Sequence, residues 1–282
     1  CLRKSFGNVR PRDVPFVVRP LEAALLACPA EAARFINTSG MMTLLLRVCC
    51  ASATAPAAVQ AAFRDDLDQD LTVVCYASVV ARCLLVDAGA VESACSVLAT
   101  EKSIGDPSMI ILALLRVLLD KADALGSVTG SLIKRKAWCM AILSRLPSPS
   151  GDVTQLLPEV VYAAAGVVKE EATDTAHGGT LAAMVSTDPS SGQGSEYFSG
   201  SGHREEGDPG VEQVVLKYLN LMSKDSPSAA SLREYVLAKV EAVRITVGDA
   251  GTMQLLAQVP PEELNVFGLG QYANHANTRR GT

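Results

Sequence analysis

Proline and glycine cut this chain so often that no apolar segment can grow long. Gly40, Pro56, Gly89, Pro107, Pro147, Pro149, Pro209, Pro227, Gly248, Pro260 and Pro261 each fall between apolar stretches. Inside a helix a proline removes a donor and clashes with the preceding turn, and a glycine costs backbone entropy. The chain must therefore fold as a series of short elements. Their apolar residues recur near every 3.6 positions, the period of a helix face. Residues 21–36 carry Leu21, Ala24, Leu25, Cys28, Ala32, Phe35 and Ile36, and residues 41–51 carry Met42, Leu45, Leu46 and Cys49. Ile110, Leu114, Val117 and Leu118 repeat the pattern, as do Ile133, Ala137, Met140, Ala141 and Leu143. Hydrophobic residues make up 49% of the 282, yet aromatics only 5%. Such a composition favours packed helices over an aromatic-rich β-sandwich.

Start and stop signals set the boundaries. Pro11, Pro15 and Pro20 forbid one helix across residues 1–20, and Pro20 suits a helix start. Ser39 is placed to cap the helix at 41–51. Asp65, Asp66 and Asp68 supply first-turn carboxylates for the helix ending near Val86. Asp106 followed by Pro107 is a sharp cap signal. Asp152 caps a helix reaching about Glu171, bent or restarted at Pro158. Residues 172–208 are rich in Gly, Ser, Thr and Asp, relieved only at 181–185 and Tyr197-Phe198. That stretch cannot bury enough apolar surface to order fully, so a partly disordered insertion is expected. From Pro209 a helical face returns with Val211, Val214, Val215, Tyr218, Leu219 and Met222. A helix over 232–247 ends at Gly248 to Gly251, and two more, Met253–Val259 and Glu262–Ala273, follow with Pro260-Pro261 between them.

The expected organisation has five parts. Residues 1–20 are an irregular lead-in, 21–171 a helical-repeat segment, 172–208 the insertion, 209–275 further helical repeats, and 276–282 a tail. About twelve helices, no convincing strand and a coarse period of about 40 residues give an all-α fold. We expect an α-solenoid of HEAT/armadillo-like helical hairpins. A single globular bundle is the alternative, but so many short helices do not share one core easily.

Charge and apolar content exclude other classes. With 25 basic and 30 acidic residues the net charge is −5, which argues against general nucleic-acid binding. Mean hydropathy is +0.23. The longest apolar runs, 71–86 and 109–119, are cut by Arg82 and Arg116. Neither reaches the roughly 18 apolar residues of a membrane span, so no membrane insertion is expected. The chain begins at Cys1 without an apolar signal core, which reads as a fragment of something longer. Eight cysteines all lie in the first half, with no C-x-x-C pair and none near a histidine. Cys75 and Cys83 sit in an apolar helical stretch, where thiols pack as small hydrophobes. Reduced structural thiols in a nuclear or cytoplasmic protein are the expectation.

Little of the chain carries chemistry. His177, His203 and His275 fall in the polar insertion or the tail, without a rigid shell to orient them. Gly192-Gln-Gly194 and Gly200-Ser-Gly202 lack the preceding strand and the following Lys-Ser/Thr of a phosphate loop. No nucleophile–base pair is present, so no enzyme, metal or cofactor is expected. The candidates that remain are partner contacts. Lys134, Arg135 and Lys136 form a tight basic cluster beside Trp138, read as a solvated face or a contact for an anion or acidic peptide. Glu170, Glu171, Glu205, Glu206 and Asp208 flank the insertion and are read either as solvated surface charge or as a grip for a basic partner.

Four features in order bring a family to mind. Leu132-Ile-Lys-Arg-Lys-Ala137 with Cys139-Met-Ala-Ile-Leu143 gives a late helix with a charged start and a Leu-rich body. A low-complexity insertion follows, then Glu206-Gly-Asp-Pro209 leading into an apolar helix. Last, Leu255-Leu256-Ala-Gln-Val-Pro-Pro-Glu-Glu-Leu264 precedes a final helix. From about Ser131 onward the chain thus resembles the C-terminal region of an importin-β-type karyopherin, nearest the exportin-2 and importin-7/8/9 branch. It departs in having a Gly/Ser-rich insertion where these receptors often carry a stronger acidic run. Residues 1–130 are only generically HEAT-like. The resemblance implies a superhelix that binds protein cargo and the GTPase Ran, passes nucleoporins rich in Phe-Gly, and works in nucleus and cytoplasm. Ran would be held by N-terminal repeats of the parent that are missing here, leaving this portion to cargo contact or curvature. A helical-repeat scaffold or assembly/chaperone factor with no transport role shares the fold and is the alternative.

Overall fold

The computed structural model describes residues 14–51, 55–66, 70–125, 131–148, 150–176, 221 and 229–272. Among them every regular element is a helix. In chain order these are α1 (Val14–Ala27), α2 (Pro29–Thr38), α3 (Met41–Cys50), α4 (Ala57–Ala62), α5 (Asp70–Val86) and α6 (Ala88–Glu101). Then come α7 (Ser108–Leu125), α8 (Ser131–Ser144), α9 (Gly151–Thr154), α10 (Leu157–Ala176), α11 (Leu232–Leu256) and α12 (Pro261–Phe267). Short 3-10 turns lie at Arg64–Asp66 and Gly270–Tyr272.

Side-chain caps fix several boundaries, the expected one at Asp106 among them. Asp106 Oδ1 accepts from Ser108 N at 2.8 Å and opens α7. Asp87 both ends α5, donating its N–H to Cys83 O, and caps α6 by accepting from Ala90 N at 3.0 Å. Ser231 accepts from Glu234 N at 3.3 Å at the head of α11.

Others need correction. Pro20 does not start a helix; it lies inside α1, which begins by Val14. A mid-helix proline costs about 3 kcal/mol, and here the burial of Val14, Val18 and Leu25 against neighbouring helices offsets it. Ser39 does not cap α3; its hydroxyl donates back to Ile36 O, and the turn is made by Gly40 at φ 74°. Asp65 and Asp66 fall in the 3-10 turn ahead of α5, while Asp68 lies outside the described residues. Asp152 sits within the one-turn α9, and α10 starts afresh at Leu157 with Pro158 in its first turn, where a missing N–H is harmless. α10 then continues to Ala176, so the first five residues of the expected insertion are helical. The rest of that insertion, the apolar face from Val211 to Leu219 with Met222, and the tail lie outside the described residues. The helix over 232–247 does break at Gly248 as expected, with φ 79° and ψ 169°, but the helical turns that follow start before Met253 and bury Thr252, Leu255 and Leu256. The final helix closes at Phe267, not Ala273, with Gly268 at φ 75°.

The helices stack in series. α5 packs on α1 and α3, α8 on α5, α10 on α8, and both α11 and α12 on α10. α2 and α6 pack against α3 and α5, and α7 against α3, α5, α6 and α8. One continuous cluster of apolar side chains runs from Val14 to Leu269. That is an α-solenoid arrangement, in which each layer touches its neighbours and not a common centre. α5 and α8 lie in the middle. Val79, Val80, Ala81 and Cys83 of α5 are fully buried, and Trp138 of α8 is 1% exposed. Among the described residues no helix is long and apolar enough to cross a membrane.

Candidate functional site

The basic cluster Lys134-Arg135-Lys136 opens α8, the helix between α5 and α10. Successive helical residues point about 100° apart, so three in a row fan over much of the circumference. Each meets a different carboxylate. Lys134 Nζ donates to Glu22 Oε1 at 3.1 Å and Oε2 at 3.4 Å, reaching across to α1. Arg135 forks onto Glu170, with Nη1 to Oε1 at 2.9 Å and Nη2 to Oε2. Lys136 Nζ lies 2.9 Å from Glu171 Oε1. Glu22 is 4% exposed and Lys136 is 7% exposed, so two of these pairs hold a charge in the interior.

Five of the eight sequence candidates are therefore brought together, and they face one another. Lys134, Arg135, Lys136, Glu170 and Glu171 tie α1, α8 and α10 into one unit. Glu170 is held by a forked guanidinium while its side chain stays 52% exposed. Glu205, Glu206 and Asp208 lie outside the described residues, as do His177, His203 and His275. The same device recurs elsewhere in the stack. Arg47 of α3 pairs with Glu101 of α6, Arg145 after α8 pairs with Glu92 of α6, and Lys169 of α10 lies 2.7 Å from Glu263 of α12. Lys239 of α11 donates to Leu146 O at 3.1 Å; burial, and then the nearby Arg145 charge, hold its pKa below the usual lysine value.

The thiols are packing groups. Cys49, Cys50, Cys75, Cys83, Cys95 and Cys139 are buried, and Cys28 at the α1–α2 junction is exposed. Burial pushes Cys49, Cys83, Cys95 and Cys139 up to about 12. Burial also takes Cys75 to about 11, where Lys134 pulls down, Glu22 pushes up and Arg19 pulls down more weakly. A thiol so shifted is not a nucleophile near neutral pH. Among the described residues no three metal-ligating side chains cluster.

Sequence reasoning missed one feature. Tyr162 on α10 is 53% exposed. It lies in the run Val160-Val-Tyr-Ala-Ala164, whose even apolarity conceals which side faces out. Only the placement of α10 beside α7 and the α11–α12 turn shows that it lines a groove.

The arrangement offers a large helical surface and no catalytic constellation among the described residues. A family model described as Importin-11-like, TPR repeats, matches residues 1–268. The match reaches back through residues 14–130, well before Ser131, where the residue-level resemblance begins. Its repeat type and the HEAT type are both antiparallel helix pairs that stack in one dimension. No curated protein and no solved structure matches the chain significantly.

Proposed function

Because the chain belongs to the Importin-11-like family of importin-β/karyopherin-like repeat proteins, we propose that it forms part of a nuclear transport receptor and holds protein cargo on its helical-repeat surface. The observation that carries this reading is the family match over residues 1–268, laid on a serial stack of helices with one unbroken core. In this reading Ran acts through other repeats of the full-length parent, nucleoporins are met in transit, and the protein works in both nucleus and cytoplasm. Nearer kinship with the exportin-2 and importin-7/8/9 branch rests on the motifs from Ser131 onward. The role is binding and not catalysis, in keeping with thiols held protonated by burial.

The test uses the full-length parent with Ran loaded with GTP or with GDP. A transport receptor discriminates the two nucleotide states, and its cargo affinity changes with them through linkage. Equal capture of both forms, with cargo binding unaffected, leaves a scaffold and removes the transport role.

A further inference from the structure

A groove of about 630 Å3 runs between α7, α10 and the α11–α12 turn. Its size lies within the range of ligand-binding clefts. It is a surface cleft and not an enclosed cavity, so an exposed segment of another chain can reach it. Leu119 and Val259 give it apolar sides, and Tyr162 stands in it half exposed. Of the other large aromatics, Trp138, Phe63 and Phe267 are almost fully buried, while Phe35 on α2 is 47% exposed. An exposed tyrosine is a rigid, amphipathic contact that orders at little entropic cost, the usual character of a binding anchor.

The groove carries charges of both signs that no other helix takes up. Arg47, Arg135, Arg145 and Lys169 are each paired with a carboxylate on another helix. Arg116 of α7 and Glu159 of α10 line the groove, and neither has an ion-pair or hydrogen-bond partner among the described residues. They do not pair with each other. The third charge, Asp120, lies 3.1 Å from its neighbour Lys121. An all-basic ligand would meet the free guanidinium, and an all-acidic one the free carboxylate. Complementarity requires one charge of each sign.

We propose that this groove docks an exposed segment of a partner protein in which an acidic and a basic side chain flank an apolar or aromatic one. The proposal rests on the transport reading only for the partner being a cargo. Its charge balance makes the contact weakly salt-dependent, unlike the capture of a polybasic segment.

The test uses the whole chain and four capped, fluorescein-labelled peptides with a shared apolar centre. Two carry Glu and Arg flanks in opposite orders, one carries Arg on both sides and one Glu on both. Fluorescence anisotropy should show one mixed-charge order binding at least about tenfold tighter than either single-sign peptide. Tyr162→Ala should weaken it by about tenfold with helical circular dichroism unchanged. Arg116→Glu should abolish it and transfer the preference to the Arg-flanked peptide, a switch that a merely misfolded variant cannot give. Equal binding of all four peptides, or unchanged binding by Tyr162→Ala, overturns the proposal. So does a self-associated chain that Tyr162→Ala turns monomeric, since the groove would then be a contact between copies. If the peptide preference fails while the parent still discriminates Ran-GTP from Ran-GDP, only the groove is lost. If the preference holds and the discrimination fails, only the transport role is lost.

Discussion

Gly248, at φ 79° and ψ 169°, adopts a conformation open to glycine and strained for every residue with a Cβ. It is the point where α11 bends, and the bend is spanned by Arg244, which binds Glu241 on one side and Asp249 at 2.8 Å on the other. No neighbour within 4 Å would obstruct a Cβ at Gly248, so the cost of Gly248→Ala is conformational alone. We expect a loss of about 1–3 kcal/mol, read from urea unfolding. A variant as stable as the parent would mean that the kink is not fixed. The buried thiols give a second expectation. Cys49, Cys83, Cys95 and Cys139 hold their protons to about 12, against an ordinary 9.0 in the unfolded chain. Between those values the folded state binds more protons than the unfolded one. Stability is therefore complete below pH 9.0 and falls as pH rises toward 12, by up to about 1.4 kcal/mol per pH unit for each thiol. Cys139→Ala should flatten that alkaline slope by one thiol's share while lowering the whole curve through lost packing. An unchanged slope would show that Cys139 ionises freely. Burial of the thiols was legible from their apolar helical surroundings. The break at Gly248 was legible too, as the end of the helix over 232–247, whereas the burial of Thr252, Leu255 and Leu256 just after it was not, because it depends on partners far along the chain.

At the level of elements, α8 is tied on two sides through three consecutive basic residues. Lys136 is buried and Glu171 partly so, whereas Arg244 and Glu241 of α11 are exposed. A double-mutant cycle on Lys136 and Glu171 should give a coupling of about 1–2 kcal/mol, because the Lys136 charge is held largely out of water beside this carboxylate. The Arg244–Glu241 cycle should give less and should fade with added salt. Equal couplings would mean that Lys136 reaches solvent when its partner is gone. Replacing both partners of the buried pair, Lys136→Met with Glu171→Leu, should cost little, since an apolar pair of similar size removes the desolvation penalty too. The cap at Asp106 was readable because it is a local contact with the next turn, to Ser108. Pro20 was misread because its tolerance inside α1 depends on partners far along the chain, which no local signal records. The ion pairs were hidden for the same reason: Lys134 and Glu22 are 112 residues apart.

For the whole molecule, serial stacking followed from punctuation and period, and the Importin-11-like match now spans residues 1–268. The placement of charge did not follow. Glu170 and Glu171 read as carboxylates free to grip a basic partner, yet they hold Arg135 and Lys136. This separates two groups that the sequence joined. Reversing Glu170 and Glu171 to Lys would set like charges against Arg135 and Lys136 across the α8–α10 contact. We expect a loss of about 2–4 kcal/mol, with a lower urea midpoint, before any partner is added. Reversing Glu205, Glu206 and Asp208 tests partner attraction separately. If these three supply the steering field, an oligolysine peptide should associate more slowly with the reversed chain at low salt. The difference should shrink once the Debye length falls to about 8 Å near physiological ionic strength. The arrangement of the ion pairs requires the first reversal to act on stability. A Glu170→Lys, Glu171→Lys chain that unfolds like the parent and loses only its oligolysine binding would show that the α8–α10 ties do not hold the stack, and that these two carboxylates serve the partner after all.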